Sequence, residues 1–108
     1  MEKRNINLVR GDTLAFDVKV SELDGSDITS MYFSAKKKAT DTEYAFQKSL
    51  SDGITLVAEN TYKVRVAPED TADLEVGKYV YDLQIGLGPD IYTILMGVIA
   101  LIQDVTTQ

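Results

Sequence analysis

Acidic side chains come closest to forming a reactive set in this chain. Asp24-Gly25-Ser26-Asp27 brings two carboxylates, a hydroxyl and a glycine together, the ingredients of a calcium loop. No glutamate follows at the spacing that closes an EF-hand, so the segment reads as a hairpin turn. Glu69 and Asp73 stand four residues apart, the spacing that puts two carboxyls on one helical face. No apolar surround is visible to raise either pKa, so both read as solvated charge. Gly86-Leu87-Gly88 lacks the third glycine and the following helix of a nucleotide loop. Lys36-Lys37-Lys38 could touch phosphate, or the acidic last third of a neighbouring copy. A solvated strand end is the simpler reading, since lysines also discourage edge pairing.

The remaining chemistry is limited by what the chain lacks. It has no histidine and no cysteine. Ser-His-Asp and Cys-His nucleophile systems, zinc-thiolate sites and disulfides are therefore excluded. Serine-lysine catalysis has no supporting motif. No catalytic, cofactor-binding or metal-ligating residue is assigned, no cofactor is expected, and the expectation is a protein that is not an enzyme. The aromatic residues leave one ligand class open. Most of the six tyrosines fall on predicted inward faces. Tyr32 and Tyr92 are the exceptions, and either could serve a carbohydrate- or cell-surface-binding module.

Charge narrows the partners. The net charge is −6, yet residues 1–66 carry ten basic and ten acidic side chains. The whole excess lies in residues 67–108, where Lys78 faces seven acids. Such a surface repels phosphates, so no nucleic-acid partner is expected. It aids solubility, or forms an acidic patch for a basic partner. Met1–Asn5 leads into no hydrophobic signal core, so no secretory signal peptide is expected.

The elements that would position these residues are strands. Leu14, Phe16, Val18 and Val20 alternate with polar positions, as do Met31, Phe33 and Ala35. Tyr44, Phe46 and Lys48 fall on one face of a short fourth strand. Ile54–Val57 and Thr61–Val66 read as a hairpin, with Tyr62, Val64 and Val66 inward. Pro68–Leu74 is the one helical signal, with proline at a first-turn position and acids at the positive end of a short helix. Ile91–Ile102 is a twelve-residue uncharged run. That is short of the roughly 20 residues needed to cross a bilayer, so no membrane insertion is expected and the run reads as a strand covered on both faces. A 108-residue domain has little mass to cover both. The outer face is therefore a candidate protein interface, taken as Tyr92, Ile94, Met96 and Val98, and a homo-oligomer is expected. The pattern gives an all-β fold, an antiparallel β-sandwich of about seven to eight strands with one short helical turn near residues 68–74, and a single domain over 1–108.

Two resemblances sharpen this. Pro68–Leu83 resembles the E–F corner of immunoglobulin-like sandwiches, which implies a structural corner of Leu74, Gly77 and Tyr79, with Tyr81 where antibody domains place cysteine. Over nearly the whole chain, Arg10-Gly11-Asp12-Thr13, Tyr62-Lys63-Val64, Glu69-Asp70-Thr71-Ala72, Gly77-Lys78-Tyr79-Val80-Tyr81-Asp82 and Thr93-Ile94-Leu95-Met96-Gly97 are similar in order and spacing to the N-terminal domain of baseplate upper proteins and related tail-fibre proteins of tailed bacteriophages and prophages of Gram-positive bacteria. The resemblance implies a structural module that docks other tail or baseplate proteins. It also implies a virion-tail location after synthesis in the bacterial cytoplasm.

Overall fold

Alternating apolar and polar residues drive this chain into extended structure almost throughout. The computed structural model describes residues 2–20, 28–38, 40–58 and 61–105. The Asp24–Asp27 turn lies outside the described residues. Among the described residues nine strands form: β1 (Glu2–Lys3), β2 (Ile6–Val9), β3 (Leu14–Lys19), β4 (Ser30–Lys36), β5 (Phe46–Leu50), β6 (Gly53–Ala58), β7 (Thr61–Val66), β8 (Gly77–Leu87) and β9 (Asp90–Ile102). One helical turn, α1 (Pro68–Thr71), sits between β7 and β8.

The hydrogen-bonded order is β1-β9-β8-β4-β5-β6-β7-β3, with β2 also on β9. The path folds over at a pairing of β5 with β6 only two residues long, Ser49 with Gly53 and Leu50 with Ile54. The result is a front layer β2-β9-β8-β4-β5 and a back layer β3-β7-β6. Phe16 on β3 and Phe33 on β4 lie at opposite parts of the order, yet their ring centroids are 5.5 Å apart. Only two sheets packed face to face allow that contact. The sandwich is immunoglobulin-like in order. Most ladders are antiparallel, but β1 and β2 run parallel to β9, as β5 does to β6.

The core fills the space between the layers. Phe33, Met31, Ile54, Leu83, Val64 and Val66 are fully buried. Phe33 is its centre, touching Phe16, Phe46 and Tyr81. This aromatic cluster occupies the region that a disulfide and tryptophan occupy in antibody domains. Removing a buried phenylalanine ring of this kind costs about 3–5 kcal/mol.

Strict pairing fails in β6, at Val57, and in β9. Leu83 pairs with Leu95 and Gln84 with Thr93, leaving Ile94 as an extra residue. This bulge shifts the phase of the strand. Leu95, Ile99 and Leu101 face the core, and Met96, Val98, Ala100 and Ile102 face out. The N-terminal strand crosses β9 at Gly97, where a Cβ would collide with the Arg4 carbonyl oxygen. The Tyr81 hydroxyl donates to that same carbonyl, and the Arg4 amide donates to Met96 O at 2.9 Å.

Candidate functional site

The E–F corner fixes how the front sheet is presented. Pro68 opens α1, whose first turn is held by the Asp70 carboxylate accepting from the Ala67 amide at 2.7 Å. Thr71 is fully buried and accepts from the Gly11 amide at 2.9 Å. Gly77, at φ 142°, turns the chain into β8. The Tyr79 hydroxyl then donates to Glu75 O at 2.7 Å, the hydrogen bond of a tyrosine corner. Leu74 packs half-buried against the core. Leu74, Gly77 and Tyr79 thus stand together at this end of the sandwich.

Three ion pairs tie the same end together. Arg10 meets Asp104 at 2.9 Å, Lys37 meets Glu75 at 2.7 Å and Lys48 meets Asp70 at 2.8 Å. Each joins a base from the first half of the chain to an acid from the last third. Glu75 is held below the usual carboxylate range, and Lys37 above the usual lysine range, by their mutual hydrogen bond and charge. Lys37 therefore meets the acidic segment of its own chain. Sequence reasoning missed the Arg10–Asp104 contact, since 94 residues separate the two and no local pattern links them.

The outer face of the front sheet is the surface best suited to contact. Its β9–β2 margin is largely apolar on β9, with Met96, Val98, Ala100 and Ile102, and mixed beside it, with Val9 opposite Ile102, Asn7 opposite Ala100 and Lys3 opposite Met96. Met96 is 37 % exposed and Ile102 46 %. Toward β8, β4 and β5 the same face hollows into a groove of about 570 Å³, lined by Tyr32, Ser34, Lys36, Tyr44, Gln47, Val80, Tyr81, Asp82, Gln84 and Met96. Lys36 Nζ sits 5.0 Å from the centroid of the Tyr44 ring. Gln47 Nε2 donates to Ser34 Oγ at 2.9 Å. Burial pushes the Asp82 carboxyl above its usual range, and the Lys36 charge opposes that shift.

The four residues expected to form one interface do not share a face. Met96 and Val98 project outward. Ile94, the bulge residue, packs against the core instead. Tyr92 pairs with the buried Ile85, which puts it on the opposite side from Met96, at the sandwich end and 45 % exposed. Tyrosine placement also differs from the expectation. Tyr44 is 49 % exposed and joins Tyr32 in the groove. It stands two residues before β5, which starts at Phe46, so the expected alternation with Phe46 and Lys48 does not set its direction.

No protein-family model matches the chain, and no curated protein matches it. Among solved structures, the extracellular domain of the voltage-gated sodium channel beta4 subunit has a similar architecture, with a TM-score of 0.55 over 97 % of this chain and 95 % of that one. Those structures are described as parallel homodimers that explain a role in cell–cell adhesion. Sequence identity is 11 %, so the likeness establishes the fold: this chain is an all-β sandwich of immunoglobulin-like type.

Proposed function

We propose that this chain is a non-enzymatic contact module that works by protein–protein association through the β9–β2 margin of its front sheet. The observation that carries this is the apolar margin itself. Met96, Val98, Ala100 and Ile102 run in a row along the outer face of β9, next to Val9 and rimmed by Asn7 and Lys3, where a lone sandwich would gain from polar side chains. The sodium channel neighbour, an adhesion domain seen as a homodimer, lends this mode of action support by analogy of fold. The finer reading is a baseplate or tail-fibre docking domain of a bacteriophage or prophage, held in a homo-oligomer with other tail proteins. It draws its support from the ordered motifs set out above. Several of them meet in space: Arg10-Gly11 against Thr71, and Tyr81 against the Gly97 crossing.

Light scattering across a concentration series tests the association. A discrete oligomer, a trimer or hexamer for a tail component, is the expected result. Val98→Asp should shift it toward monomer while the thermal unfolding transition survives, because a charge in an apolar contact is left unpaired. A wild-type chain that stays monomeric, or an oligomer indifferent to Val98→Asp, would sink the margin as the interface.

A further inference from the structure

We propose that the groove over β8, β4 and β5 binds a neutral saccharide. The groove is separate from the β9–β2 margin and reaches it only at Met96. Its volume of about 570 Å³ is in the range of small-ligand sites. Two ring surfaces line it, Tyr32 at 43 % and Tyr44 at 49 % exposure. A tyrosine offers an apolar ring face to the C–H side of a sugar and a hydroxyl to its polar rim. The Lys36 ammonium over the Tyr44 ring fixes that loop side chain against the sheet.

The polar groups decide the class of ligand. Lys36 supplies donors, Asp82 supplies acceptors, and Gln47, Gln84 and Ser34 supply both. The side chains of Asp82 and Gln84 make no hydrogen bond among the described residues. Asp82 is half-buried, with its carboxylate oxygens still open to a ligand's donors. One lysine beside one aspartate leaves the groove without net charge, which favours neither a phosphate nor a cation. A polyol needs donors, acceptors and an apolar platform together, and all three are present. An extended peptide is disfavoured because the groove floor is β8 and β4, each hydrogen-bonded on both sides. No free backbone is left there for strand addition.

The test is an NMR titration of the 15N-labelled full chain with maltotriose, N-acetylglucosamine trimer, cellotriose and lactose, each to about 10 mM, the range of weak single-site binding. The expected result is saturable shifts at Tyr32, Tyr44, Asp82 and Gln84 with at least one sugar. Tyr32→Ala should weaken that binding roughly tenfold or more, while Lys78→Ala, on the same face outside the groove, should leave it unchanged. Thermal unfolding confirms that both variants fold. The absence of saturable shifts with all four sugars overturns the proposal, as do shifts that map elsewhere or survive Tyr32→Ala. None of these outcomes depends on Val98, so the saccharide and the protein-contact readings stand or fall separately.

Discussion

Two side chains show how single atoms set the stability of this sandwich. The Tyr79 hydroxyl bridges from the start of β8 back to Glu75 O while its ring is 5 % exposed. Tyr79→Phe keeps the ring and deletes the donor, at a cost of about 1 kcal/mol. That corresponds to a fall in Tm of about 4–8 °C for a domain of this size, measurable by calorimetry. Asp82 acts in the other direction. Its carboxyl is pushed upward by burial, so ionisation is harder in the folded chain than in the unfolded one. This destabilises the fold when pH is above the folded pKa and vanishes below the unfolded pKa. Asp82→Asn should therefore raise Tm at neutral pH, with a gain that shrinks on acidification into the carboxylate range. A gain that does not change with pH would contradict burial as the cause.

At the scale of elements, local chemistry was readable and phase was not. Pro68 and the Gly77-x-Tyr79 spacing confine backbone and side chain within a few residues, so the corner is legible in sequence. The alternation in β3, β4 and β7 is equally plain because polar residues mark the outer face. Ile91–Ile102 gives no such mark: both faces are apolar, so nothing in the pattern reveals the extra residue at Ile94. The groove was half legible. Tyr32 stands out on an alternating strand, whereas Tyr44 belongs to a loop and Asp82 projects from β8 among residues that the corner motif explains. The crossing at Gly97 carries its own test. Gly97→Ala should displace Arg4 and release β1 from β9, since the added methyl meets backbone rather than a movable side chain. Hydrogen exchange at the Arg4 amide should accelerate, with the β3–β7 ladder unchanged. Retained protection at Arg4 would show that the crossing has room to spare.

Across the whole molecule, the charge asymmetry of the sequence becomes internal complementarity. Acids of the last third meet Arg10, Lys37 and Lys48 from the first half, and two of the three pairs are largely shielded from solvent. The excess acid is thereby gathered around the α1 end. Among the described residues, the strands of the outer front face carry Lys3, Lys36 and Lys78 beside Asp82. The apolar row on β9 thus lies away from most of the acid that gives the chain its net charge of −6.

The parallel run of β2 along β9 has a mechanical consequence. Both strands head toward the same end of a body 45 Å long, the first entering beside Leu95, partway along β9, and the last leaving at the far end. A pull on residues 2 and 103 slides the two strands past each other and loads their hydrogen bonds all at once, instead of opening them one by one. In an optical trap, the domain should resist such a lengthwise pull at higher force than one applied across the β6–β7 hairpin. Equal forces in the two directions would mean that the β2–β9 ladder does not bear the load. A module built this way suits a position in line with tension.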